Sequence, residues 1–261
     1  GIGRPYQVNN YGGESWGNLD LLTATEKSIN TIYVPLGMKA GLEKVVDVAR
    51  RAGIPDSVEM VASPSVSLGA ASPHVIDLAN AYATFAAQGV YAKPFIINEV
   101  QGPNKGILYQ GRIQAQEVFR KDVMADLTYA FSKVTSSGTA AVVGARVARP
   151  TAGKTGTSND NASAWFNGYT PEVAASVAFY RDDATQSLNG IGGLTSVTGG
   201  SFPARIWAEF VKKYLAKSPI QEFPAPAFIG GTEPVNFINA VPEMDPALIP
   251  PSPSPSPKKK R

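Results

Sequence analysis

Apolar residues along this chain recur with two different periods, and the change from one to the other falls near residue 149. Upstream of it, helical spacing dominates. It runs through "LDLLTATEKS" (19–28), "TIYVPLGMKAG" (31–41) and "LEKVVDVARRAG" (42–53), where Gly53 supplies the stop. A further helix is predicted from Val75 to Gln88, with Leu78, Ala81, Tyr82 and Phe85 on one face and Gly89 just past its C-cap. "PFIINEV", the turn "QGPNKG" and "ILYQG" then read as a hairpin. Residues 115–138 return to helix.

From Arg149 the pattern shortens to that of strands. "RPTAGKTGTS" gives one strand, and "SAWFNGYTPEVAASVAFYRDD" gives two more, joined by a tight turn at Thr170-Pro171-Glu172. A Gly-rich loop (189–202) leads to a last helix from Pro203 to about Ala216, whose stripe is Ile206, Trp207, Phe210, Val211 and Tyr214. Residues 1–18, rich in Gly, Asn and Tyr, read as an extended loop. After Lys217 the chain turns Pro-rich and ends in "PPSPSPSPKKKR", so residues 218–261 read as a disordered basic tail. Helices followed by a cluster of strands predict one α+β domain over residues 1–217 with an antiparallel sheet.

Composition narrows the chemistry. The chain has 261 residues, no cysteine and one histidine, His74. Disulfides, thiolate metal sites and a Cys nucleophile are thereby excluded. His74 stands at a helix start, where capping is its expected role, so a general base would be a lysine or a carboxylate. The net charge of +3 comes partly from the terminal KKKR, which leaves a near-neutral body with little to attract nucleic acid. No run of 18 apolar residues occurs. No cofactor or metal is expected.

One strand stands apart. In "GKTGTS" (153–158) a glycine sits where it weakens a strand, which suggests that something approaches the backbone at Gly156. An edge strand there can pair with an extended peptide. Thr155 and Thr157 offer hydroxyls to a carboxylate, Lys154 a positive charge, and the Thr157 N–H a donor for an oxyanion. By itself the stretch reads equally well as a strand ending in a turn.

Lys-Thr-Gly is also one of three motifs of the penicillin-recognising serine enzymes. A second, Ser-x-Asn, is matched by Ser28-Ile29-Asn30 and also by Ser187-Leu188-Asn189; only the first precedes Lys-Thr-Gly, as the family order requires. The flanks extend the likeness. "YGGESWGNLDLLTATEKSINTIYVPLG", "SLGAASPHVIDLANAYATFAAQGVYAKPFII", "VTSSGTAA…RPTAGKTGTSNDNASAWFNGYTP" and "VTGGSFPARIWAEFV" resemble blocks of the transpeptidase domain of class A penicillin-binding proteins. Together they cover about residues 6–215.

The resemblance implies the penicillin-recognising serine transpeptidase fold, also called β-lactamase-like, and an enzyme that cross-links peptidoglycan at the extracytoplasmic face of a bacterial membrane. The implied partners are the D-Ala-D-Ala end of a stem peptide and the β-lactams that imitate it. Ser28 would shuttle a proton to the leaving nitrogen, and Asn30 would bind the substrate amide. Lys154 would support both Ser28 and the substrate carboxylate. Thr155 and Thr157 would bind that carboxylate beside Gly156, with Gly138 and Thr139 of "SGT" on the cleft rim.

The family's third motif, Ser-x-x-Lys, occurs only at Ser256–Lys259, in the tail. The nucleophile is therefore expected upstream of Gly1, along with the first sheet strands, a membrane anchor and a glycosyltransferase domain. This segment alone is expected to be inactive, to lack the other half of its own domain, and to expose apolar surface where that half would pack. A serine β-lactamase needs an additional base, for which no candidate stands out, and the class A flanks argue against it. A binding module without catalysis remains the other reading.

Overall fold

The computed structural model describes residues 7–230. Its first half is helical: α1 (Leu21–Lys27), α2 (Asn30–Ala40), α3 (Leu42–Ala52) and α4 (Val75–Ala86). Asp20 caps α1, its Oδ1 accepting from the Thr23 amide at 2.7 Å. Gly53 ends α3 as expected, with φ 128°. At the end of α4 the turn comes one residue early, because Gln88 adopts the left-handed conformation (φ 55°) ahead of Gly89.

Two short ribbons follow. β1 (Val90–Ala92) pairs antiparallel with β4 (Ala115–Glu117), and β2 (Glu99–Gln101) pairs with β3 (Ile107–Gln110). The expected hairpin is the second of these, although residues 94–98 lie outside its strands. The first ribbon corrects the sequence reading, in which residue 115 already began a helix. Helix α5 starts only at Lys121 and runs to Ser136 (Lys121–Ser136), and a short α6 (Ala141–Arg146) follows it.

The expected three strands form one antiparallel sheet in the order β5 (Ala152–Thr157), β6 (Ser163–Tyr169), β7 (Ala174–Tyr180). Alternation assigns its two faces. On one, Ala164 and Phe166 meet α7 (Phe202–Tyr214), where Trp207 is fully buried with its ring centroid 5.3 Å from that of Phe166. The indole N–H donates to the Ala175 carbonyl at 3.0 Å, so its polar edge is satisfied. Burying a ring such as Phe166 stabilises the fold by about 2–3 kcal/mol. On the other face, Ala152 and Tyr169 pack with Tyr82 of α4 and Phe131 of α5, and the Tyr169 hydroxyl lies 2.9 Å from Thr128 Oγ1. This is the α+β arrangement with an antiparallel sheet that the sequence predicts.

The stripe expected on α7 splits in two. Trp207 and Val211 are buried with Ala204 and Ala208, whereas Ile206, Phe210 and Tyr214 stand 47%, 45% and 64% exposed. The outer face of this helix is therefore open.

The Pro-rich stretch does not leave the domain at residue 218. Residues 218–230 run along it as a strap. Arg149 donates to the carbonyls of Leu215 and Ser218 at 2.8 and 3.1 Å, and Phe223 packs edge-on against Tyr169. Asp126 then accepts from the amides of Ala227, Phe228 and Ile229 at 2.7, 2.7 and 2.9 Å. Pro219, Pro224 and Pro226 lack an N–H that would need a partner, and Asp126 satisfies three of the remaining amides. The last part of the expected tail, residues 231–261, lies outside the described residues.

Candidate active site

The turn from α1 to α2 places Ser28 opposite β5. Ser28 holds a left-handed conformation (φ 61°, ψ 51°), and its amide closes α1 on the carbonyls of Ala24 and Thr25. A non-glycine residue is strained there. The next residue, Ile29, is 2% exposed and anchors the turn in the core. The hydroxyl of Ser28 is thereby held toward the sheet.

Lys154, third residue of β5, meets it. The Lys154 ammonium donates to Ser28 Oγ at 2.7 Å and to the Thr155 carbonyl at 3.2 Å. Desolvation by burial pushes the Lys154 pKa down from 10.5 to about 8. At neutral pH the group is still cationic, yet closer to giving up its proton than a surface lysine.

Beside this pair, Thr139 Oγ1 and Thr155 Oγ1 lie 2.7 Å apart at an accessible position. Gly138 brings Thr139 there. A Cβ on Gly138 would lie 2.6 Å from the Glu26 carbonyl, so only glycine lets this segment lie against α1, and the Thr139 amide donates to that carbonyl at 3.3 Å. Three elements therefore converge within a few residues of Lys154: the end of α1, the segment after α5, and β5.

Other expected site residues are engaged elsewhere. The Asn30 side-chain amide donates to the Asn9 carbonyl at 2.9 Å, and Asn10 Oδ1 accepts from the Thr31 amide at 3.1 Å. The N-terminal segment thus lies over the start of α2, and its Tyr11 hydroxyl reaches Asn161 beyond β5 at 3.1 Å. Thr157 Oγ1 accepts from the Gly199 amide at 3.2 Å. A Cβ on Gly156 would meet only Trp165 Cβ at 3.3 Å and Cγ at 3.9 Å. The immediate packing effect of that glycine is therefore on its cross-strand neighbour.

The loop that supports this site was not foreseen as part of it. Gly199 fits so closely behind β5 that a Cβ there would stand 2.2 Å from the Trp165 carbonyl and 2.7 Å from that of Gly156. The doublet Gly199-Gly200 was the available signal, since paired glycines mark close backbone approach. Among the described residues, no group of three or more His, Cys, Asp or Glu side chains is placed to hold a metal ion, and no helix is long and apolar enough to cross a membrane. His74 caps α4, its ring Nδ1 3.2 Å from Asp77 Oδ2.

Comparison with known proteins places the chain in a family. Residues 3–187 match the family described as penicillin binding protein transpeptidase domain, and the chain belongs to it. It is 30% identical to penicillin-binding protein 1A of Mycolicibacterium smegmatis, over 98% of this chain and 35% of that protein. Penicillin-binding protein 1A of Aquifex aeolicus is likewise 30% identical, over 86% of this chain and 30% of the relative. The chain thus spans about a third of the length of these relatives. Among solved structures, PonA1 of Mycobacterium tuberculosis in complex with penicillin V is similar with a TM-score of 0.76 and 28% identity, covering 84% of this chain and 62% of that one.

Proposed function

We propose that this chain supplies the Lys-Thr-Gly side of the active site of a serine D,D-transpeptidase that joins peptidoglycan stem peptides outside the cytoplasm. The observation that carries the reading is the 2.7 Å contact between Lys154 Nζ and Ser28 Oγ. An ammonium donating to a serine oxygen leaves the serine's own proton free to be given away. In acylation, a nucleophilic serine attacks the penultimate D-alanine carbonyl and the bond to the terminal D-alanine nitrogen breaks. Ser28 passes its proton to that nitrogen and takes back the proton that the nucleophile gives up, while Lys154 stabilises Ser28 in between. An acceptor amine of a second stem peptide then takes the acyl group.

The Thr139–Thr155 hydroxyl pair and the Lys154 charge suit the terminal carboxylate of the donor peptide, or the equivalent carboxylate of a β-lactam. Thr157 adds its hydroxyl two residues further along the same face of the strand, and its amide is the candidate oxyanion donor. Asn30 serves the substrate amide only after exchanging its bond to Asn9.

No Ser-x-x-Lys precedes Ser28 in residues 1–27, so we assign the nucleophile to no residue of this chain. A second reading, a wall-peptide binding module without catalysis, needs only the Thr139–Thr155 hydroxyl pair and the Lys154 charge. Reading the gene upstream of the Gly1 codon separates the two. A Ser-x-x-Lys at a helix start supports the transpeptidase, and the longer protein carrying it is then expected to be labelled covalently by fluorescent penicillin. Absence of the motif, or no labelling, overturns the enzyme reading and leaves the binding module.

A further inference from the structure

Lys154 does not stand alone on its face of the sheet. Its direct cross-strand partner on β6 is Asn167, and the partner of Asn167 on β7 is Ser176. Directly paired residues point to the same face with Cβ atoms about 5 Å apart. Lys154, Asn167 and Ser176 therefore form a polar row across all three strands, beside the apolar row of Ala152, Tyr169 and Ala174.

The row has unmet valences that match. Asn167 is only 7% exposed, and its Oδ1 is buried without a hydrogen-bond partner. Ser176 Oγ is buried and unpartnered as well. An ammonium has three donors. Lys154 uses one on Ser28 Oγ and one on the Thr155 carbonyl, which leaves the third without an acceptor among the described residues. Among those residues, no carboxylate lies within ion-pair distance of Lys154 to anchor it instead. A buried amide with no partner is unfavourable, and an apolar side chain would fill the position without that penalty.

We propose that Asn167 is a positioning residue for Lys154, its Oδ1 receiving the third ammonium N–H while Ser176 donates its hydroxyl to the second lone pair of the same oxygen. A small rotation of either long side chain joins the groups, since the register already sets them side by side. Asn167 then fixes the ammonium on Ser28 by neutral hydrogen bonding, where a carboxylate would have pulled it away. The inference rests on reading Lys154 and Ser28 as the working pair, but it concerns contacts within this chain.

The test is an NMR titration of ¹³C-labelled lysine in the full 261-residue chain, with the Lys154 signal identified by its loss in Lys154→Arg. Removing an acceptor that favours the charged form lowers the midpoint, and placing a negative charge there raises it. Asn167→Leu is expected to move the Lys154 midpoint down by about one unit, and Asn167→Asp to move it up by about one unit or more. Ser176→Ala should shift it in the same direction as Asn167→Leu, by less. An unmoved midpoint in folded Asn167→Leu overturns the proposal. Should that variant fail to fold, the near-isosteric Asn167→Asp decides, and no upward shift there overturns it equally. Asn167→Gln, which keeps the amide acceptor, should hold the midpoint closer to that of the native chain than Asn167→Leu does, which a role in packing alone would not require. Because no acylation is measured, failure of the transpeptidase reading would leave this result standing.

Discussion

Lys154 and Ser28, 126 positions apart in sequence, are joined by a single 2.7 Å hydrogen bond that ties the helical half of the chain to its sheet. The contact sets a desolvated cation against a serine held in strained backbone geometry. Neither feature is explained by stability alone, and both follow if the pair is built to handle a proton.

The lysine should therefore weaken the fold at neutral pH. Its folded pKa of about 8 lies below the ordinary lysine value of 10.5. Below pH 8 both states carry the proton and the full desolvation penalty applies. Between pH 8 and 10.5 the folded state releases the proton while the unfolded state keeps it, so stability rises with pH. Lys154→Met is expected to stabilise the chain at pH 7 by about 2 kcal/mol, once partial exposure is allowed for. Urea midpoints of the two proteins should converge by about pH 10.5; parallel curves would show that the ammonium is not desolvated.

Two glycines at one place should differ in what they cost to replace. Gly199→Ala drives a methyl into the Trp165 and Gly156 carbonyls and is expected to cost about 2–3 kcal/mol by thermal or urea unfolding. Gly156→Ala meets only a side chain at 3.3 Å and should cost less than about 1 kcal/mol. If the strand edge receives a substrate, Gly156→Ala in the full-length protein should still lower β-lactam labelling. Unchanged labelling would free Gly156 from any role in binding.

Much of this arrangement was legible in the sequence because short-range patterns carried it. Helical spacing located α1 to α4, β-alternation located β5 to β7, and the Lys-Thr-Gly and Ser-x-Asn motifs led to Lys154 and Ser28. What escaped depends on distant partners. β1 and β4 are three residues each and pair across more than twenty intervening positions, too short for a period to show. The α7 stripe was drawn too wide, since helical spacing cannot say which edge of an apolar face is covered. Residues 218–230 look like a tail by composition, and contacts with Asp126, Tyr129, Arg149 and Tyr169 make them part of the domain. The roles of Gly138 and Gly199 lie in backbone approaches that no local pattern encodes.

The strap should be held by one carboxylate. Desolvation opposes ionisation of Asp126, but the three amide bonds from Ile229, Phe228 and Ala227 outweigh it and hold its pKa below the ordinary value of 3.8. The stabilisation is present above that ordinary value and is lost as pH falls through the lowered one. Asp126→Ala is expected to speed hydrogen exchange at residues 227–229 by roughly tenfold or more, the factor lost with one charge-assisted bond. The amides of β6 should keep their protection. Equal acceleration in both places would mean that Asp126 supports the whole domain and not the strap.

Arg149 offers the sharpest stability test. Its guanidinium bonds Glu172 Oε1 at 2.7 Å in the β6–β7 turn and also holds the carbonyls of Leu215 and Ser218 at the end of α7. The two charged side chains are only 10% and 11% exposed, and Glu172 Oε2 already lacks a partner. Arg149→Ala leaves a buried carboxylate unpaired and frees the strap's first turn, so a loss of about 3–5 kcal/mol is expected. Replacing both members, Arg149→Met with Glu172→Gln, should recover a large part of that loss, because the lone buried charge is gone. Chemical denaturation of the single and double variants measures both steps. If the double variant is no more stable than Arg149→Ala, the carbonyl bonds to the strap, and not the ion pair, carry the stabilisation.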